Sequence, residues 1–333
     1  MKKVVAAISI IIVIVLVVLG VWYYMSSQPA YSGTPESITI GESPFDYSGL
    51  IYVAQDQGFF SDNGLNVTVQ DYGSSVGAFN GMLSNNVDVA LTSEYVIVGN
   101  AFSNDNISII GCIDKYQSVY IIARKDLGIE NVTDLNGKKI GLSEGTIGEF
   151  YLGRFLDLNR MSISNVTLVN MPTSQYEQAI TNGSVDAVIT AVYIDQIQEQ
   201  LGDNAVLWPA QSGEDAFGVM TSRNDWIASH PGQLNRLLKS LDQAEQYTVD
   251  HPAEAEAIVQ KSLNYSDSDM TSIWPNQQYS LTLDQSLVAA MEDEGRWMIA
   301  NNLTTAKTIP DYDNYINTSG LENVDPESVG IID

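Results

Sequence analysis

The sequence predicts an α/β protein of two similar lobes, preceded by one N-terminal transmembrane helix. Three observations carry this prediction. Short β-rich runs alternate with helical stretches over residues 37–201, a helix–turn–strand unit occurs twice, and the chain opens on a long apolar run. Strands that alternate with helices are typical of parallel sheets covered by helices. With 333 residues, 44% of them apolar, the chain is long enough for two domains of ordinary size.

Residues 1–25 are expected to form a membrane anchor. Lys2 and Lys3 precede an apolar run over residues 4–25, which would span about 33 Å as a helix, enough to cross a bilayer. A Trp-Tyr-Tyr sequence ends the run as an interfacial aromatic belt. A cleaved signal peptide is the alternative. Residues 26–36 are small and polar, with Pro and Gly, and are interpreted as a linker.

The remainder of the chain is expected outside the cytoplasm, anchored to the cell membrane. After Lys3 the next basic residue is Lys115, and a long stretch without Lys or Arg is typical of a translocated segment. The chain also carries Asn-x-Ser/Thr sequons, which fit a glycosylated surface but also follow in part from the Asn-rich composition. The sequons begin at Asn66, Asn106, Asn131, Asn165, Asn182, Asn264, Asn302 and Asn317.

Charge and composition exclude several classes of partner. The chain has 15 Lys and Arg against 41 Asp and Glu, a formal net charge of −26. Phosphate backbones and anionic membrane surfaces are held by cations, so nucleic acid is not expected as a partner. The single cysteine, Cys112, rules out an intrachain disulfide. One cysteine and two histidines are too few for a typical zinc or iron–sulfur site, so neither a metal nor a cofactor is expected.

The elements are read from hydrophobic periodicity and turn residues. Strands are predicted at 37–41, 65–70, 87–91, 107–111, 118–123, 139–142, 166–170 and 187–190. Helices are predicted at 49–60, 76–84, 94–102, 147–159, 175–181 and 194–201, and further helices at 233–246, 253–262 and 287–299. The C-terminal third is therefore expected to be mainly helical, laid against an existing sheet.

The internal repeat suggests that the two lobes share a plan. Residues 79–95 and 177–193 each contain a helix, an Asn-bearing turn, a Val-Asp pair, a short apolar strand and a loop with a tyrosine. Ligands of open parallel sheets bind beyond the carboxyl ends of the strands. Two such lobes with these ends facing one another would form a binding cleft.

Four stretches, in order along the chain, resemble one protein family. They are the glycine- and phenylalanine-bearing segment 54–67, Asn-Val-Asp-Val-Ala at 86–90, Asp-Leu-Asn-Gly-Lys-Lys-Ile at 134–140, and Asn-Gly-Ser-Val-Asp-Ala at 182–187. Together they resemble the extracytoplasmic solute-binding proteins of ABC importers, in the group that handles sulfonates, taurine, nitrate and thiamine-precursor pyrimidines. The resemblance covers residues 37 to about 223.

The resemblance implies a two-lobed type-2 periplasmic-binding-protein fold with a hinge of two crossing strands. The first lobe would comprise residues 37–117 and 222–333, and the second lobe residues 118–221. The crossings would be residues 118–124 and 217–223. It also implies that the lobes close around a small organic or inorganic anion or zwitterion, resembling a sulfonate, taurine or nitrate, and present it to the permease subunits and ATPase of an importer.

The candidate ligand-binding residues lie mostly in loops that follow predicted strands. Helix N-termini there offer free N–H groups to an anion, and tyrosine offers an apolar face with a hydroxyl. Ser, Thr and Gly at such places also serve as ordinary helix caps, which is the structural alternative. The candidates are Ser43, Phe45, Asp46, Tyr47, Ser74, Ser75, Ser93, Glu94, Tyr95, Lys115, Tyr116, Gly145, Thr146 and Tyr193.

The charged candidates favour different kinds of ligand. Lys115 is the only basic residue between Lys3 and the hinge, and at the back of the cleft it would neutralise an anion; an exposed lysine on a turn is the alternative. Asp46, Glu94 and Asp195 would repel a bare anion and suit the ammonium of a zwitterion, or they point to water.

Two other functions stay open. Relatives that bind the thiamine-precursor pyrimidine often carry a histidine just before the first helix, and residues 47–49 (Tyr-Ser-Gly) lack it, so a pyrimidine or related heterocycle is the alternative solute. An enzyme or a ligand sensor of the same fold is the further alternative. No catalytic motif is found, and Cys112, at the end of an apolar strand, is interpreted as a buried small side chain, so the chain is not expected to be an enzyme.

Overall fold

The structure is a computed structural model that describes residues 31–103 and 106–331. Its strands form one sheet of six, one sheet of five and a short two-stranded pair. In chain order the strands are β1 Glu36–Glu42, β2 Leu65–Asp71, β3 Val89–Ser93, β4 Ile107–Tyr116, β5 Tyr120–Arg124, β6 Lys139–Leu142, β7 Thr167–Asn170, β8 Ala187–Thr190, β9 Ala205–Pro209, β10 Ala216–Arg223, β11 Gln277–Gln278, β12 Leu283–Asp284 and β13 Val329–Gly330.

The α-helices cover both sheets. They are α1 Gly49–Asp56, α2 Phe59–Asp62, α3 Ser75–Leu83, α4 Glu94–Ala101, α5 Ile147–Leu158, α6 Tyr176–Thr181, α7 Ile194–Leu201, α8 Asn224–Ser229, α9 Pro231–Asp250, α10 Pro252–Leu263, α11 Asp267–Ile273, α12 Gln285–Ala300 and α13 Ser319–Val324. Helix α9 buries the predicted apolar face, which carries Leu234, Leu237, Leu238, Leu241 and Ala244. The predicted helical C-terminal third is thereby confirmed.

The two large sheets share one arrangement, which confirms the internal repeat. The strand order is β11-β4-β10-β3-β1-β2 in the first sheet and β7-β6-β8-β5-β9 in the second. In the first, β1 lies between β3 and β2 and is parallel to both; in the second, β6 lies between β8 and β7 in the same way. The Val-Asp pair of each repeat immediately precedes β3 or β8.

The sheets are mixed, where the alternation of strands and helices predicts parallel ones. Strand β10 is antiparallel to β3 and β4, and β5 is antiparallel to β8 and β9. The reversed strands are the ones that directly follow the connections between the sheets: β5 follows the first connection and β10 follows the second.

The return crossing lies earlier in the chain than expected. The segment expected to cross at 217–223 is part of β10, in the middle of the first sheet, because it pairs on both edges with β3 and β4. The connections between the sheets are residues 117–119 and 210–215. Residues 216–221, expected in the second lobe, therefore belong to the first sheet.

The predicted anchor over residues 1–25 and the first part of the predicted linker lie outside the described residues. Within residues 31–103 and 106–331, no helix combines the length and the apolar character that crossing a bilayer requires.

Candidate functional site

A cavity of about 70 Å³ lies between the two sheets, where strands of both end. Its first-lobe wall consists of residues that follow β1 and β2 and of the last residues of β3 and β4. Its second-lobe wall comes from the starts of α5 and α6 and from the end of β8. The lining residues are Phe45, Asp46, Tyr47, Ser74, Ser75, Ser93, Tyr116, Val119, Ser143, Thr146, Ile147, Gly148, Thr173, Tyr176, Ile189, Thr190, Ala191 and Val192. We call this the solute cavity.

Asp46 is a buried carboxyl in the wall of this cavity. It follows β1, is 1% exposed, and its Oδ2 accepts hydrogen bonds from Ser118 Oγ at 3.2 Å and Gln277 Nε2 at 2.7 Å. Tyr279 holds the same loop by donating its hydroxyl to the Asp46 carbonyl at 2.8 Å. Burial raises the pKa of Asp46 to about 6, against the hydrogen bonds that favour its charged form. The Asp46 carboxyl therefore gains a proton, and with it a hydrogen-bond donor, as the pH falls below about 6.

Two further polar groups of the lining have no partner in the described chain. They are the hydroxyls of Tyr47 and Ser93, both buried. The ring of Tyr47 is held between those of Phe45 and Tyr116, at centroid distances of 5.4 and 5.9 Å. A buried hydroxyl without a partner is costly, so these two groups are well placed to bind a polar molecule in the cavity.

The helix N-termini at the cavity differ in their caps. Ser74 caps α3 by accepting a hydrogen bond from Gly77 N at 3.0 Å. No side chain caps α4 or α5, whose N-cap residues are Ser93 and Thr146. Thr146 instead donates its hydroxyl to the Ser143 carbonyl at 2.7 Å. The first N–H groups of α5, at Ile147 and Gly148 in the lining, are therefore available to an anionic group.

One side chain holds the two connections between the sheets together. Gln211 is 3% exposed, and its Oε1 accepts a hydrogen bond from Val119 N at 2.8 Å. Its Nε2 donates to the carbonyls of Tyr116 at 2.8 Å and Glu214 at 3.0 Å. Gln211 thus links both strands of the hinge behind the cavity. The sequence offered no signal for it, since a lone glutamine has no pattern of its own.

Comparison with known proteins decides the family. The profile of the NMT1/THI5-like family matches residues 46–255, which is more than half of the chain. The chain belongs to the NMT1/THI5-like family. The resemblance to sulfonate- and thiamine-precursor-binding proteins is thereby confirmed.

The individual relatives have low sequence identity to this chain. A putative binding protein of Brucella abortus is 27% identical over 165 residues, which cover 47% of this chain and 50% of that protein. A putative aliphatic sulfonates-binding protein of Bacillus subtilis is 26% identical over 211 residues, covering 62% and 64%. A putative thiamine biosynthesis protein of Haemophilus influenzae is 25% identical over 213 residues, covering 63% and 67%. The match to the Brucella protein spans half of that relative's length.

Solved structures show the same two-lobed α/β periplasmic-binding-protein fold. The alkanesulfonate-binding protein SsuA of Xanthomonas axonopodis superimposes with a TM-score of 0.74 at 14% identity, over 86% of this chain and all of that one. The desulfurization enzyme DSZB superimposes with a TM-score of 0.61 at 16% identity, over 88% and 99%. At these identities the likeness concerns the fold alone.

The solute cavity of this NMT1/THI5-like protein gathers part of the predicted site. The residues that line it are Phe45, Asp46, Tyr47, Ser74, Ser75, Ser93, Tyr116 and Thr146. Ser43, Glu94, Tyr95, Lys115, Gly145 and Tyr193 do not line it. Tyr193 lies in a neighbouring cavity. Gly145 has a positive φ of 73° and donates its N–H to Glu149 Oε2 at 2.9 Å, so it shapes the loop before α5.

Lys115 does not face the solute cavity, contrary to expectation. Side chains alternate along a strand, so Lys115 points to the opposite face of β4 from Tyr116. Its Nζ binds Asp284 Oδ2 at 2.6 Å and Ser286 Oγ at 3.3 Å, and it lies 5.6 Å from the centre of the Phe217 ring. Lys115 therefore forms an ion pair with Asp284 of the C-terminal region.

Glu94 and Tyr95 are buried behind the cavity. Glu94 Oε1 accepts a hydrogen bond from Phe217 N at 3.1 Å, at the start of β10. Burial raises the pKa of Glu94 to about 8, and burial together with the Glu94 carboxyl raises the pKa of Glu294. The Tyr95 ring packs against Phe150 and Trp297 at 6.0 and 6.4 Å. Neither side chain is part of the lining of the solute cavity.

Sequence reasoning missed the second-lobe wall formed by Thr173 and Tyr176. Thr173 precedes α6 and Tyr176 is its first residue, and the sequence predicts a helix start at this point. The signal that could have found them is the repeat, because α6 occupies the place in the second lobe that α3, with Ser74 and Ser75, occupies in the first.

Proposed function

We propose that this protein is the solute-binding component of an ABC importer and works outside the cytoplasm. The observation that carries the proposal is the solute cavity itself, lined from both lobes at the ends of their strands and backed by two short connections. A cavity of about 70 Å³ is smaller than the few hundred Å³ of typical small-molecule sites. The lobes must therefore part to admit a solute and close to hold it.

The lining favours a zwitterion over a bare anion. None of the described residues that line the cavity is Lys, Arg or His, while Asp46 is a buried carboxyl in its wall. An inorganic anion such as nitrate would meet negative charge without a compensating cation. A sulfonate group is compatible if it lies at the uncapped start of α5 and a positively charged or hydrogen-bond-donating end of the solute faces Asp46.

A thiamine-precursor pyrimidine is the second candidate. The rings of Phe45, Tyr47, Tyr116 and Tyr176 give the cavity flat apolar faces for a heterocycle. Asp46 could accept a hydrogen bond from an exocyclic amino group. The relative named as a putative thiamine biosynthesis protein fits this candidate, and the relative named as an aliphatic sulfonates-binding protein fits the first.

We propose binding without catalysis, although the fold is also that of an enzyme. The thiol of Cys112 is buried, and burial raises its pKa, so it is a poor nucleophile. The two histidines pack on neighbouring aromatic rings, His230 on Trp226 at 5.1 Å and His251 on Tyr247 at 4.8 Å. Anchoring through residues 1–25 and use of the sequons are part of the proposal.

Ligand-induced stabilisation of the full chain in detergent tests the proposal. The panel comprises taurine, alkanesulfonates, nitrate, bicarbonate, aminopyrimidines and amino acids. A ligand at a hundred times its dissociation constant stabilises a fold by about 2.7 kcal/mol, which is a clear rise in melting temperature. A rise with sulfonates or taurine supports the first candidate, and a rise with aminopyrimidines the second. The variant Ser93→Ala should reduce the rise, while the exposed Asp203→Asn should not.

A further inference from the structure

A second cavity of about 110 Å³ adjoins the solute cavity. Ala191 lines both, and Ser118, which donates its hydroxyl to Asp46, lines the second. One wall is the start of α7 in the second lobe, with Tyr193 and Asp195. The opposite wall consists of Tyr265, which lies between α10 and α11, and of helix α11 with Asp269. We call it the side cavity.

The side cavity holds negative charge without a cation. Asp195 and Asp269 line it from opposite lobes, and no Lys, Arg or His is among its described lining residues. Asp269 is 5% exposed and accepts hydrogen bonds from Ser266 N and from Gln196 across the lobes. Burial, and secondly the neighbouring Asp269, raise the pKa of Asp195. Burial is the larger cause of this shift, and the negative charge of Asp269 adds to it.

Aromatic rings complete the wall. Tyr120, Tyr193 and Tyr265 line the side cavity together, and aromatic faces attract organic cations. The buried hydroxyl of Tyr265 has no hydrogen-bond partner in the described part of the chain. Tyr193 has a left-handed backbone, with φ of 59°, and its side chain is 40% exposed. A non-glycine residue in this conformation is strained, and such strain is concentrated at binding sites.

We propose that the side cavity binds an ammonium group carried by the solute, whose other end occupies the solute cavity. This inference rests on the proposed function and narrows the solute to amine-bearing compounds. The two carboxylates and three tyrosines suit an organic ammonium, whereas no group of three or more His, Cys, Asp or Glu in the described chain is placed to hold a metal ion. Because the walls come from both lobes, a bound ammonium stabilises the closed state.

Isothermal titration of the full chain with matched probes tests the inference. The probes are 3-aminopropanesulfonate against propanesulfonate, and an aminomethylpyrimidine against the corresponding methylpyrimidine. In the unmodified protein we expect the amine-bearing member of at least one pair to bind about tenfold more tightly. Asp195→Asn should remove that preference, measured as the ratio of the affinities for the two members of the pair. The exposed carboxylate Asp203 provides the matched control, Asp203→Asn, which should keep the preference.

The outcomes separate this inference from the proposed function. If the amine-free probes bind as tightly as their partners in the unmodified protein, the inference is wrong while solute binding stands. The same holds if Asp195→Asn keeps the full preference for the amine. If no probe of either pair produces heat at millimolar concentration, both the inference and the proposed solute classes are overturned.

Discussion

The carboxylate of Asp88 accepts a hydrogen bond from the backbone N–H of Thr39 at 2.7 Å and another from the Thr39 hydroxyl at 2.7 Å. In the second lobe, Asp186 accepts one from Lys139 N at 2.8 Å. Each aspartate belongs to the repeated Val-Asp pair and ties the strand that follows it, β3 or β8, to the neighbouring strand of its sheet, β1 or β6. The repeat is thus conserved between the lobes in a hydrogen bond as well as in sequence.

Asp88→Ala should lower the free energy of unfolding by about 1–3 kcal/mol, because it leaves two donors of Thr39 without their partner. Asp186→Ala should cost less, since its single side-chain bond is more exposed. Urea denaturation of the full chain measures both, with Asp203→Ala as the exposed control. Equal losses in all three variants would contradict this reading of the repeat.

Lys115→Met should leave solute affinity unchanged. The lysine binds Asp284 on the face of β4 opposite to Tyr116, and the pair is partly exposed, so its loss should reduce stability by about 1 kcal/mol or less. Tyr47→Phe, which removes an unpartnered hydroxyl of the lining, should weaken binding instead. Titration with the solute identified by the panel measures the affinity of both variants. A weaker affinity in Lys115→Met would show that the lysine contributes to solute binding.

Gln211→Ala should loosen the hinge. It removes the hydrogen bonds that join the 210–215 connection to Val119 and to the end of β4 at Tyr116, and a third bond to Glu214 within the same connection. The buried N–H of Val119 is left unpaired. We expect a loss of about 1–3 kcal/mol of stability and faster amide exchange in both connections. Gln117→Ala serves as the control, because that side chain binds Asp215 at the exposed edge of the same hinge. Unchanged exchange at Val119 would show that Gln211 carries no hinge role.

Stability should fall as the pH rises. Burial raises the pKa of Asp46 to about 6 and of Glu94 to about 8, from ordinary values of 3.8 and 4.5. Between the ordinary and the raised values the folded chain holds protons that the unfolded chain releases. The free energy of unfolding therefore decreases as the pH rises from about 4 through these raised values, by up to about 1.4 kcal/mol per pH unit for each such proton.

Glu94→Gln should reduce that slope, because the variant has no proton to lose at this position. Urea denaturation at a series of pH values measures the slope, and the exposed Glu199→Gln should keep it unchanged. If Glu94→Gln keeps the full pH dependence of stability, that dependence arises from other carboxyls. Asp114 and Glu294 are such groups, because burial also raises their pKa values.

Much of the fold is predictable because it depends on local patterns. The strands and helices from Glu36 to Leu201 follow from hydrophobic periodicity and helix starts, and the repeat led to two sheets of one plan. The lining residues at Asp46, Ser74 and Thr146 are predictable for the same reason, because they sit where a strand ends and a helix begins.

By itself the sequence determined the fold class, the two lobes and the loops that form the solute cavity, since these depend on residues near one another in the chain. Only the tertiary structure decided which side of a strand faces the cavity, where the chain returns between the sheets, and how Asp195 meets Asp269. Lys115 shows the reason. Its neighbours Asp284 and Phe217 are distant in sequence, and a shift of one residue along β4 exchanges the two faces.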